Sequence, residues 1–295
     1  FLSLGMRILP DAAKGRGKID LYCRLSRTPD GIAAALDVVP ADDLLARLLP
    51  TLPADAGYLL MNFRVATLTD ALKAKVLGAD QTGATEMVRT MSRSFAFVLR
   101  GDLPRAFGNQ WAVVDPEGKL SHGVPFEKSG AYLLATMDYS KKLGDTMSSL
   151  ALAGNLTGLG PKVTFKRLDK GLLFEARLFG TDLVLVLGQR FGAISSRASL
   201  HTLLDLLARE AKALQAPSGT AASLPMPEGL PPIPEGAELR GRGAWSLDFL
   251  NAFLPHESGN ADPIRDFLQG LIAEDRRFRF QSLRVEHGFL LQGRW

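Results

Sequence analysis

Residues 162–188, KVTFKRLDKGLLFEARLFGTDLVLVLG, constrain the fold more than any other stretch, because their apolar positions recur with a period of two. Val163 and Phe165 alternate with Thr164 and Lys166. Past Asp169-Lys170-Gly171, Leu172, Phe174, Ala176 and Leu178 alternate with Leu173, Glu175 and Arg177. Such alternation marks strands with one buried face, and the glycine is expected to supply the positive φ of a tight turn. The stretch predicts a β-hairpin and then a third, more deeply buried strand over 183–187. Beyond it the period changes. Leu200, Leu203, Leu204, Leu207, Ala211 and Leu214 make one helical stripe opposite Asp205, Arg209 and Lys212.

The same vocabulary recurs along the chain. Ile19, Leu21, Cys23 and Leu25 alternate with polar residues, and Pro29-Asp30-Gly31 is expected to turn that strand into a second one carrying Ile32, Ala34, Leu36 and Val38. A short helix follows over 41–49, with Asp42 and Asp43 in its first turn. Three stretches open alike, with small residues, an aromatic and leucines: DAGYLLMNF from Asp55, SGAYLLATM from Ser129 and GRGAWSLDFL from Gly241. Further hairpins are expected at Pro116-Glu117-Gly118 and Glu286-His287-Gly288.

These observations predict an α+β protein of repeated strand-helix-hairpin units, with antiparallel sheets and helices packed on one face. The units fall at 1–50 (a partial first unit), 51–128, 129–215 and 238–295. A linker at 216–237 holds Pro217, Pro225, Pro227, Pro231, Pro232 and Pro234. Phe1 and Leu2 match Phe249 and Leu250, which follow an opening strand, so the first unit is expected to lack its first strand. The sheet edge this leaves would be filled by a partner chain, by upstream sequence or by the C-terminal strand ending at Trp295. The start at Phe1 suggests removal of a signal peptide, an anchor or a neighbouring domain.

Composition narrows the function classes. A net charge of only +4 gives nucleic acid no particular welcome. The single cysteine, Cys23, excludes an intrachain disulfide and reads as a buried thiol among Ile19, Leu21 and Leu25. No apolar run reaches the ~18 residues of a membrane-spanning helix.

No catalytic constellation is legible. His122, His201, His256 and His287 are scattered, and His256-Glu257 lacks the second histidine of a zinc-protease helix. No Gly-x-Ser-x-Gly elbow occurs. The glycine-rich loop at 154–160 lacks the lysine and hydroxyl of a phosphate loop and precedes a strand. The pairs Asp42/Asp43 and Glu274/Asp275 suit helix ends. No cofactor or metal is expected. A cationic cluster remains: Arg276, Arg277, Arg279, Arg284 and Arg294. Within it Arg277, Arg279 and Arg284 are the candidate contacts for a partner or an anion, with Phe278 and Phe280 on the opposite phase. The competing reading is a solvated face above a phenylalanine core.

With openings such as LPADAGYLLMNF at 52–63, and with GLLFEARLFGTDLVLVLG at 171–188, the chain resembles uncharacterised bacterial extracytoplasmic, lipoprotein-like proteins of repeated α+β units. The resemblance covers most of residues 50–215. It implies a periplasmic or outer-envelope location and a non-catalytic role. Two functions are carried forward: a non-enzymatic envelope scaffold or accessory subunit acting through protein contacts or homo-oligomers, and a carrier of a lipid or other hydrophobic ligand. The 16 phenylalanines and 7 methionines suit the second. An enzyme whose site gathers residues distant in sequence is a third reading.

Overall fold

Alternating apolar residues need a second strand to satisfy their backbone groups, and here every strand finds antiparallel neighbours in a single sheet. The computed structural model describes residues 3–11, 16–24, 31–36, 38, 44–49, 52–53, 56–67, 106–120, 122, 124–137, 163–178, 181–215, 227–246 and 277–294. The strands are β1 (Ser3–Asp11), β2 (Arg16–Arg24), β3 (Gly57–Asn62), β4 (Phe107–Asp115), β5 (Tyr132–Met137) and β6 (Val163–Leu168). They continue with β7 (Gly171–Leu178), β8 (Thr181–Leu187), β9 (Phe191–Ser196), β10 (Glu238–Ser246), β11 (Arg277–Val285) and β12 (Gly288–Arg294). The helices are α1 (Gly31–Leu36), α2 (Leu44–Leu48), α3 (Phe126–Ser129) and α4 (Leu200–Ala213). The strand order is β1-β2-β12-β11-β10-β3-β4-β5-β9-β8-β7-β6.

This corrects the α+β expectation. Among the described residues strand makes up 55% and helix 21%, and the strands all lie in one twelve-stranded sheet. The sequence windows mark local elements, whereas the class is set by long-range pairing that joins strands far apart in the chain, such as β2 with β12 and β3 with β10.

The hairpin of β6 and β7 turns through Asp169 and Lys170, with Leu168 opposite Gly171. Gly171 is not among the positive-φ glycines, which are Gly118, Gly130, Gly229 and Gly236. It is required for another reason: a Cβ there would run into the carbonyl oxygen of Leu187 on β8. Gly288 opens β12 in the same way, against the carbonyl of Cys23 on β2. The hairpin expected at Gly31 does not form. Residues 31–36 are α1, an alanine-rich turn and a half, and β2 takes its hairpin partner from β1 instead. Pro116-Glu117-Gly118 does turn, with the Gly118 N–H donating to the Asp115 carbonyl at 3.2 Å, but the antiparallel partner β5 arrives only after α3.

The buried face of α4 is Leu203, Leu206, Leu207, Glu210 and Ala213, so the expected stripe is rotated and Leu204 stands outside it at 36% exposure. Helices α2 and α4 pack together over β4, β5, β8 and β9. Leu44, Leu45, Leu48, Leu203, Leu206 and Leu207 form one core with sheet residues that include Leu60, Ala112, Leu134, Ala193 and Val186. Glu210 is drawn into this core because both carboxylate oxygens accept backbone N–H groups of the β8–β9 turn, from Gln189 at 2.9 Å and Arg190 at 2.6 Å.

Pairing on the two sides of the β3–β10 contact follows one pattern. β1 pairs with β2 as β8 with β9, and β2 pairs with β12 as β9 with β5. β11 lies between β10 and β12 as β4 lies between β3 and β5. The correspondence stops at the edge: β8 is flanked by β7 and β6, whereas β1 has no described strand on its outer side.

Candidate functional site

Directly opposed residues of antiparallel strands share a face, and alternate residues along a strand change face. The register therefore sorts the sheet into rows running across all twelve strands. One row reads Leu9, Lys18, Arg294, Arg279, Ala244 and Tyr58, then Val114, Tyr132, Ser195, Val184, Glu175 and Thr164. From Val114 to Val184 it is fully buried. On the other side of β3 the row carries three cations on adjacent strands, Arg279, Arg294 and Lys18.

The neighbouring row on that face continues the contrast. It reads Arg7, Asp20, Gln292, Gln281 and Arg242 on β1, β2, β12, β11 and β10. It then turns apolar at Leu60, Ala112, Leu134, Ala193, Val186 and Leu173. Gln281 is buried, and its Nε2 donates to Gln292 Oε1 and to the Pro231 carbonyl, both at 2.9 Å, so the chain at Pro231 lies against this half of the sheet. Arg294 Nη1 and Asp20 Oδ1 are buried without a hydrogen-bond partner among the described residues. Burial pushes the Tyr58 phenol up, an effect that the positive charges of Arg242 and Arg277 oppose.

Of the three arginines singled out in the sequence, Arg277 and Arg279 share this face, and an Arg277 guanidinium nitrogen donates to the Ala56 carbonyl. Arg284 lies on the opposite phase of β11, with its guanidinium 5.6 Å from the Phe289 ring centroid. Arg294 and Lys18 take its place in the cationic row. Arg294 was legible in the sequence, because a two-residue turn at Glu286-His287 puts it opposite Arg279. Lys18 was not, since its place depends on the non-local β2–β12 pairing.

The other face carries Arg284, Ser282 and Arg167, but one of its rows is apolar from edge to edge. That row reads Ile8, Ile19, Gly293, Phe280, Gly243, Leu59, Val113, Leu133, Ile194, Leu185, Phe174 and Phe165. The next contains Met6, Leu21, Leu291, Met61, Trp111, Leu187 and Leu172. Gly243 and Gly293 are not gaps in this face. A Cβ at either would strike a ring, Phe280 over Gly243 and Phe278 over Gly293, and the two rings stack with centroids 5.9 Å apart. Four large apolar side chains on this face are open to solvent: Met6 at 65%, Phe165 at 50%, Ile8 at 41% and Met61 at 37%. Cys23 is a half-buried free thiol.

The histidines remain apart. His122 is exposed, His201 lies 3.4 Å from Asp205, and His287 lies 3.4 Å from Glu286 in the β11–β12 turn. Among the described residues no three His, Cys, Asp or Glu side chains gather as metal ligands. No described helix is long and apolar enough to cross a membrane. His256, Arg276, the loop at 154–160 and the pairs Asp42/Asp43 and Glu274/Asp275 lie outside the described residues. Comparisons with protein-family models, with curated proteins and with solved structures gave no match to this chain.

Proposed function

We propose that the protein is a non-enzymatic scaffold or accessory subunit of the bacterial envelope, acting through protein contacts made by its sheet. One observation carries this reading: Met6 and Ile8, neighbours on one face of the edge strand β1, are both open to solvent, and Met61 on β3 and Phe165 on the far edge strand β6 are exposed on the same face. Adjacent exposed apolar residues mark an interaction surface, whereas scattered ones mark nothing, so the weight rests on the Met6–Ile8 pair. The cations Arg279, Arg294 and Lys18 on the opposite face supply a polar contact for acidic side chains or phosphate.

A carrier of a lipid or other hydrophobic ligand is the second reading, favoured by the length of the apolar rows. The rings of Phe278 and Phe280 already fill the places above Gly293 and Gly243, where an apolar ligand would otherwise settle. This tips the balance toward protein contacts.

A photo-crosslinking amino acid placed at Phe165 or Met61 separates the two. Crosslinks to polypeptide support the scaffold. Crosslinks to small molecules of lipid mass support the carrier, and an absence of crosslinks at both positions removes the apolar face from the account.

A further inference from the structure

We infer that the outer edge of β1 is a strand-addition site, which takes an extended segment of a partner polypeptide with a large apolar residue beside Ile8 and an acidic residue beside Arg7. This rests on the protein-contact reading and names its mode. The argument starts from the matching pairing on the two sides of the β3–β10 contact, in which β1 holds the place of β8. β8 is covered along its outer side by β7, whose Phe174 stands opposite Leu185 on the apolar face. β1 has no such cover among the described residues, and Gly5, Met6, Arg7 and Ile8 are all exposed although their side chains alternate between the two faces. Exposure on both faces distinguishes an open edge strand from a strand with one solvated face.

The backbone points the same way. The Cys23 carbonyl is aimed at Gly288 on β12, so its β1 partner Leu4 is not bonded to β2 and turns its backbone groups outward. Pro10, which has no N–H, falls on the same phase. By alternation Met6 and Ile8 direct their N–H and C=O groups to that same side, where an incoming strand would bond them. An antiparallel segment continuing the apolar row would set a large apolar residue beside Ile8, as Phe174 sits beside Leu185. Its next residue, on the other face, would then fall opposite Arg7, so an acidic side chain suits that position. The β7 sequence has this pattern: with Phe174 beside Ile8, Glu175 meets Arg7 and Leu173 meets Leu9.

The probe is therefore a synthetic peptide of residues 163–178, VTFKRLDKGLLFEARL, added to the intact protein while amide hydrogen exchange is followed residue by residue. Saturable protection of the Met6 and Ile8 amides is expected. A peptide carrying Phe174→Asp should bind about tenfold more weakly or worse, since it loses one large apolar contact, and this control leaves the protein untouched. Ile8→Pro in the protein, which removes one outward N–H, should weaken binding of the unaltered peptide. Protection confined to β6, β7 or β8, or no protection of β1 at saturating peptide, overturns the inference. Crosslinking at Phe165 and Met61 would still report on the protein-contact reading, so the two can fail separately.

Discussion

Arg294 on β12 stands directly opposite Lys18 on β2, and on its other side directly opposite Arg279 on β11. Like charges in lateral register repel, and no ion pair to these three is found among the described residues. Arg279→Gln should therefore raise stability by about 0.2–1 kcal/mol at low ionic strength. The gain should shrink in ~1 M salt, where charge interactions are screened within a few ångströms. Urea unfolding at two salt concentrations measures both. Added inorganic phosphate should raise the Tm of the parent protein more than that of the variant.

Glu210 gives a pH signature. Burial raises its pKa above the ordinary 4.5, and the N–H groups of Gln189 and Arg190, with the charge of Arg190, only partly oppose this. The folded state then binds the proton more tightly than the unfolded state, so stability falls as pH rises from about the ordinary value through the raised one. Glu210→Gln should abolish that part of the slope. Glu210→Ala strands two turn amides and should cost about 1–3 kcal/mol. Thermal unfolding from acid to neutral pH tests the sign.

The Tyr132 hydroxyl is buried with no hydrogen-bond partner among the described residues, and burial drives its pKa well above the usual range, opposed in part by Arg209. Tyr132→Phe removes the stranded group and keeps the ring. It should stabilise by about 1 kcal/mol, read as a higher urea midpoint with an unchanged slope.

Gly288→Ala should destabilise by about 1–3 kcal/mol, because its Cβ meets the Cys23 carbonyl and the strand itself must shift. Gly229→Ala has open space around it but a φ of +78°, so it should cost less, about 1 kcal/mol. Chemical denaturation of both variants separates the close contact from the backbone strain.

What the sequence showed and what it hid divide along the range of the interaction. The β6–β7 hairpin and α4 were legible because period and turn are local properties, and so was the opposition of Arg279 and Arg294 across a two-residue turn. Residues 31–38 were misread as a strand because Ile32, Ala34, Leu36 and Val38 alternate. The alanines between them favour helix, and a short apolar run cannot arbitrate. Gly171 was given a turn role when its constraint is the Leu187 carbonyl on the next strand. Glu210 was missed because a charged residue in a helix reads as solvated until the turn amides that hold it are known. Lys18 entered the cationic row only through the β2–β12 pairing, which nothing local announces.

The most direct test of the protein-contact account is native mass spectrometry of the purified chain, followed by denaturation and organic extraction. The account predicts the mass of the bare chain, an integral multiple of it, or the chain with another polypeptide. A stoichiometric excess mass that leaves on extraction would contradict it and establish the carrier in its place.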